Sequence, residues 1–106
     1  MKDCIFCKVI AGELPSTKLY EDDNSIVIKD IHPEAPIHWL VISKKHIPEL
    51  VEVPDILIGK MMTVVNKIIR DQCIGKYRIV INGKGAALVD HLHIHILGKI
   101  DKNRTL

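Results

Sequence analysis

His91-Leu92-His93-Ile94-His95-Ile96-Leu97 sets three imidazoles in strict alternation with aliphatic side chains. In an extended strand successive side chains point to opposite faces, and residues two apart share a face. The stretch therefore predicts a strand burying Leu92, Ile94 and Ile96 on one side. His91, His93 and His95 would line up on the other, about 6.5 Å apart. A half-buried strand needs the aliphatic face but not three histidines opposite it. Imidazole titrates near neutral pH and can act as nucleophile, acid, base or metal ligand. This row marks the site of chemistry.

Residues 89–97 form the last of five expected strands, preceded by a glycine-rich turn at 83–87 and a strand at 77–82. Between 54 and 73, Leu57, Met61, Val64, Val65 and Ile68 fall at helical spacing and mark one long helix. Residues 39–43 are apolar almost throughout, as a central strand is. Residues 19–21 and 26–29 flank Asp22-Asp23-Asn24, a turn-rich stretch that makes a hairpin. The two prolines within Asp30-Ile31-His32-Pro33-Glu34-Ala35-Pro36 predict an ordered loop. At the N-terminus, Asp3 can cap a short helix over 4–11, with Gly12 as its stop. Strands in runs with two helices predict an α+β fold built on an antiparallel sheet.

Composition bounds the rest. A chain of 106 residues, 47% hydrophobic and 26% charged, is a single globular domain spanning 1–106. A net charge of +2 gives no footing for nucleic acid or a membrane surface. No apolar run approaches the roughly 20 residues of a membrane span, and no signal peptide opens the chain. With polar Lys2 and Asp3 leading straight into an ordered-looking segment, a cytoplasmic location is the default. Three cysteines argue against a disulfide framework.

The histidine row has two chemical readings. Three strand histidines can ligate a catalytic zinc, or one can attack an electrophile while its neighbours manage protons and charge. A polar sheet face without a role is the bland alternative. Cys4 and Cys7 form a Cys-x-x-Cys pair, a spacing shared by zinc sites, redox motifs and plain packing. A structural zinc would need two further ligands, for which His46 and His91 are candidates. Cys73 reads as packing.

Taken together, the chain resembles the histidine triad superfamily, whose signature is His-x-His-x-His followed by apolar residues, and in particular its Hint branch. Cys4-Ile5-Phe6-Cys7-Lys8-Val9-Ile10 with Gly12-Glu13-Leu14-Pro15 is similar to the N-terminal helix of its zinc-carrying bacterial form. Asp30-Ile31 with Pro33, Ala35, Pro36 and His38 matches the nucleotide-binding loop. Val41-Ile42, Lys44-Lys45-His46, and Tyr77-Arg78 with Asn82 follow in register.

The resemblance implies a five-stranded α+β fold, usually a homodimer, that binds a purine nucleotide and acts at its α-phosphate. His93 would be the nucleophile, forming a nucleotidyl-histidine that water hydrolyses. A neutral ring with one free nitrogen is required, so its other nitrogen should donate to a backbone carbonyl. His95 would contact the phosphate, and His38 would approach the phosphate or leaving group. Asp30 would accept from the ribose hydroxyls, with Asn82 nearby. Ile5, Phe6, Val9, Ile28 and Leu40 would build the slot for the base. Cys4, Cys7, His46 and His91 would hold a structural zinc, which leaves His93 and His95 free of metal.

Departures from the pattern bear on mechanism. Where the family has Gly-Gln followed by a hydroxyl or acidic residue, this chain has Ala87 and Leu88 in Gly85-Ala86-Ala87-Leu88-Val89-Asp90. The turn after Asn82 is about two residues shorter than usual in the branch, and the tail after Gly98 is short. The missing hydroxyl helps protonate the leaving group, a function worth on the order of 10²–10⁴ in rate.

The leading expectation is a nucleotide hydrolase or transferase, foremost a phosphoramidase acting on adenosine or guanosine 5′-phosphoramidates. Dinucleoside polyphosphate hydrolysis, a nucleotide-binding module with little turnover, and a three-histidine metalloenzyme stand beside it. A homodimer is also expected from the chain itself. Met62, Val65 and Ile69 add apolar surface to the long helix beyond a one-sided stripe, and residues 77–82 would leave an apolar edge unpaired.

Overall fold

A computed structural model describes residues 3–102. Lys2, half of the polar start noted above, and the end of the short tail at 103–106 lie outside the described residues. In chain order the elements are α1 (Ile5–Ile10), β1 (Lys18–Glu21), β2 (Ser25–Lys29), β3 (Ile37–Ser43), a 3-10 turn (Leu50–Glu52), α2 (Asp55–Asp71), β4 (Arg78–Val80) and β5 (His93–Gly98). The strands form one antiparallel sheet in the order β1-β2-β3-β5-β4. This is the α+β architecture expected, with β3 central.

Cross-strand partners share a face, so register divides the side chains. Val27 opposite Val41, and Val41 opposite Ile94, belong to one face. There they pack with Ile96 and with Met61, Val64, Val65 and Ile68 of α2 in the larger core. On the other face, Ile28 opposes Leu40 and Leu40 opposes His95. This face carries the smaller core, in which Phe6 and Val9 of α1 pack on Ile26, Ile28, Leu40 and Ile42. The long helix covers the structural side and leaves the histidine side to a six-residue helix. Gly98 ends β5 where a Cβ would sit 2.8 Å from Ile74 Cγ2 and 3.0 Å from Ile37 Cβ, so a larger residue would have to displace those side chains.

Several expectations are corrected. The cap of α1 is Cys4, whose sulfur accepts from the Cys7 backbone N–H at 3.4 Å, and Asp3 is not used. The stop at Gly12 holds: its φ is +79°, its N–H donates to the Val9 carbonyl, and the Glu13 N–H donates to Lys8. The last strand starts at His93 rather than residue 89. The His91 N–H turns back to the Val89 carbonyl and the Leu92 N–H donates to Ile47 outside the sheet, which swings His91 out of the row. The strand over 77–82 shrinks to Arg78–Val80. Helix α2 stops before Cys73, whose backbone is left-handed at φ 51°. Val65 is fully buried in the core, so it adds nothing to a free apolar face, while Met62 and Ile69 are half-buried against that core.

Candidate active site and metal centre

The histidines separate into two clusters that share Phe6 as a partition. Its ring meets His93 edge-on at a centroid distance of 4.9 Å and His91 at 5.9 Å.

His93, in the first position of β5, is buried, and its Nδ1–H donates to the His91 carbonyl at 2.7 Å. That bond fixes the tautomer and leaves Nε2 with a bare lone pair. Burial pushes the ring below the ordinary histidine range, with the neighbouring His38 contributing, so it is neutral at pH 7.

His95 lies one pleat further along the same face. His38 Nδ1 accepts the Glu34 backbone N–H at 2.9 Å, so the proton of His38 sits on Nε2. That Nε2 lies 2.8 Å from His95 Nδ1 and donates to it. The remaining proton of His95 is therefore on Nε2, 3.4 Å from Asn82 Nδ2; an amide nitrogen cannot accept it, so the Asn82 amide must turn end for end to pair with it. Burial and the adjacent His93 and His38 push His95 down to about 4. The pocket thus holds two neutral imidazoles of opposite character, His93 offering a lone pair and His95 an N–H.

Asp30 closes this cluster. Its Oδ1 accepts the His32 backbone N–H at 2.8 Å, and Oδ2 is 3.4 Å from His38 Nε2. Asp30, His38 and His95 bring three possible ligand atoms within 4.8 Å of one another. The Glu34 N–H decides against a metal there, because a cation on His38 Nε2 would move the proton to Nδ1, where two donors would face each other.

A cavity of about 460 Å³ opens over this face. Ile5, Phe6, Val9, Ile28 and Leu40 line it together with Asp30, Asn82, His93 and His95, so the structure brings nine of the proposed substrate and catalytic residues to one place. His38 reaches it through His95, and His91 does not line it. Sequence reading missed other walls: Leu14, Pro15 and Ser16 after α1, Ile31 after Asp30, and Ala86 and Val89 beside the departing Leu88. Leu14-Pro15 stood within the quoted N-terminal motif, which was the available signal. Leu88 is wholly exposed at the cavity mouth.

The second cluster gathers Cys4, Cys7, His46 and His91, with all four possible ligand atoms within 4.8 Å of one another. His91 is fully buried and its Nε2–H donates to the Ser43 carbonyl at 2.6 Å, which turns the Nδ1 lone pair inward. That Nδ1 is 3.2 Å from Cys4 Sγ, 3.5 Å from Cys7 Sγ and 3.2 Å from His46 Nδ1. Cys7 Sγ is 3.2 Å from His46 Nδ1. Burial, with the Cys4 sulfur beside it, raises the Cys7 thiol above its ordinary value, the electrostatic cost that a cation would reverse. Two sulfurs and two imidazole nitrogens converging on one point, with a carbonyl fixing one histidine from behind, fit a closed tetrahedral zinc site. In this geometry the three histidines of the row do not converge on a common metal.

The HIT domain family matches residues 11–102. Protein HitA of Neisseria gonorrhoeae is 41% identical over 104 residues, covering 92% of this chain and 97% of that protein. The adenylylsulfatase HINT3 of Arabidopsis thaliana is 36% identical over 107 residues, covering 95% of this chain and 54% of that protein. Among solved structures, a histidine triad protein from Clostridium difficile superposes with a TM-score of 0.89 at 38% identity, over 100% of this chain and 98% of that one. A histidine triad nucleotide-binding protein from Candida albicans gives 0.84 at 35% identity, over 94% and 77%. A zinc-bound histidine triad family protein from Mycobacterium smegmatis gives 0.86 at 30% identity, over 97% and 79%.

Proposed function

The chain belongs to the HIT family, and from that premise we propose that it is a nucleotide hydrolase acting at the α-phosphate of purine nucleoside 5′-phosphoramidates through a covalent intermediate on His93. The observation that carries this reading is the bond from His93 Nδ1–H to the His91 carbonyl, which leaves a bare Nε2 facing an apolar cavity. The nucleotide-binding and adenylylsulfatase descriptions of two relatives support the substrate class.

In this mechanism the base lies among Ile5, Phe6, Val9, Ile28 and Leu40, while Asp30 accepts from the ribose. The His95 N–H, held by its bond from His38, stabilises the phosphoryl oxygens as charge builds on them. The Nε2–phosphorus bond forms as the bond to the leaving group breaks. Water then cleaves the nucleotidyl-imidazole, releasing the monophosphate and restoring His93. Cys4, Cys7, His46 and His91 would hold one structural zinc, and they tie α1 to the sheet next to the nucleophile. The whole chain, 1–106, acts as one HIT domain, working as a homodimer in the cytoplasm. Among the described residues no helix is long and apolar enough to cross a membrane.

A second reading, a nucleotide-binding module with little turnover, draws on Leu88, an aliphatic side chain at the cavity mouth where the family has a proton donor. Turnover assays across adenosine and guanosine phosphoramidates and dinucleoside polyphosphates, with His93→Ala as control, separate these readings. Hydrolysis of phosphoramidates lost in the variant supports the first. Tight nucleotide binding without turnover supports the second, and preferred cleavage of dinucleoside polyphosphates would move the assignment within the family.

A further inference from the structure

We propose that a second, smaller cavity bounded by Glu34, His38, Val80, Asn82, His95 and Leu97 is the leaving-group subsite, and that Glu34 makes it selective for amines carrying a distal positive charge. The inference rests on the reading of His93 as the nucleophile and adds the class of leaving group.

Position is the first support. The cavity, about 190 Å³, shares His95 and Asn82 with the larger one but does not include His93. His93, His95 and Leu97 follow one another along one face of β5, so the cavity extends from His95 away from the nucleophile. An in-line displacement places the leaving group opposite the attacking atom. With a phosphate held at His93 and His95 and the nucleoside in the apolar cavity, this second space is what faces the departing group.

Size and chemistry narrow the class. With less than half the volume of the nucleotide cavity, it suits a short aliphatic chain better than a second nucleoside. Val80 and Leu97 supply apolar wall for methylenes. Glu34 is the one acidic residue of its lining, and no lysine or arginine belongs to it. Arg78 lies opposite Leu97 in the register but is not part of the lining. The Glu34 backbone N–H donates to His38 Nδ1, so the residue bearing the charge is tied to the relay that orients His95. When the phosphorus–nitrogen bond breaks, its electron pair goes to the amine, which takes a proton from water in the open cavity. The distal ammonium stays beside the carboxylate throughout.

The test compares two adenosine 5′-phosphoramidates of equal length, one made from 1,4-diaminobutane and one from n-pentylamine. The ratio of their kcat/KM values is measured in the wild-type chain, Glu34→Gln and Glu34→Lys. An exposed ion pair supports a preference of about two- to five-fold for the charged amine. That preference should shrink at high salt, vanish in Glu34→Gln and invert in Glu34→Lys. Because the ratio is taken within each protein, altered folding or His38 geometry cancels. Turnover of both substrates with the same ratio in all three proteins would overturn the subsite. Turnover of neither would overturn the phosphoramidase reading itself, and the subsite with it.

Discussion

His38 Nε2 and His95 Nδ1 lie 2.8 Å apart with one proton between them, and the Glu34 backbone amide assigns that proton to His38. In the proposed mechanism the consequence reaches the pocket, where the His95 N–H would meet a developing oxyanion. Replacing His38 with Ala removes the donor that fixes this tautomer. We expect kcat to fall by about 10²-fold with KM little changed, since the interaction strengthens as charge develops. Steady-state kinetics measures the split, and nitrogen chemical shifts of His95 should show mixed tautomers. An equal loss in KM alone would assign His38 to ground-state binding.

His95 also ties stability to pH. Its folded-state value of about 4 lies below the 6.5 of a free imidazole, chiefly through burial. The unfolded chain therefore binds more protons than the folded chain between pH 6.5 and about 4, and stability falls as pH drops through that window. His95→Gln removes this linkage. Melting curves from pH 7 to 4.5 should show a shallower loss in the variant, with a difference of several degrees expected at the acid end. Parallel losses would mean that His95 titrates normally.

Cys4 is both a candidate ligand and the cap of α1, and α1 contributes Ile5, Phe6 and Val9 to the nucleotide cavity. We expect one zinc per chain by elemental analysis of protein purified without chelators. Cys7→Ser should lower both the melting temperature and nucleotide affinity, the latter by about ten-fold or 1.4 kcal/mol. Calorimetric titration with a nucleoside monophosphate reads the affinity. Metal lost instead on His93→Ala would indicate a three-histidine site.

Much of this arrangement was legible in the sequence because alternation is a strong signal. Leu92, Ile94 and Ile96 are buried where period-two reading put them, and His93 and His95 share the opposite face. His91 escaped that logic. Its place is set by the Val89 and Ser43 carbonyls and by cysteines more than 80 residues away, which local periodicity cannot report. The Asp3 cap failed for a related reason, since Cys4 is held at the helix start by His91. Glu34 was invisible because its backbone, not its side chain, makes the bond that orients His38.

The β4 edge, Arg78–Val80, is half-buried and pairs on one side only, with β5. Two copies joined along this edge about a two-fold axis would protect it. Light scattering at micromolar concentration should give twice the chain mass, and Ile79→Lys should lower it toward the monomer. A wild-type monomer would remove the dimer from the account.

Leu88 stands at the cavity mouth where the resemblance implies a hydroxyl that helps protonate the leaving group. Ala87→Gln with Leu88→Ser should raise kcat by about ten-fold or more on substrates with poor leaving groups, with nucleotide Kd nearly unchanged. A large gain in affinity with no gain in kcat would contradict a role in leaving-group departure.

Attack of His93 Nε2 on phosphorus would leave a covalent adduct that can be trapped. A nucleoside 5′-phosphoramidate is mixed with His95→Gln, chosen because loss of the His95 N–H should slow breakdown of the intermediate. The reaction is quenched within one turnover, and intact-protein mass spectrometry is followed by peptide mapping. The expected result is a single nucleotidyl group on His93, absent from His93→Ala, which should also lose hydrolysis. Wild-type hydrolysis in His93→Ala, or an adduct on any other residue, would contradict the account.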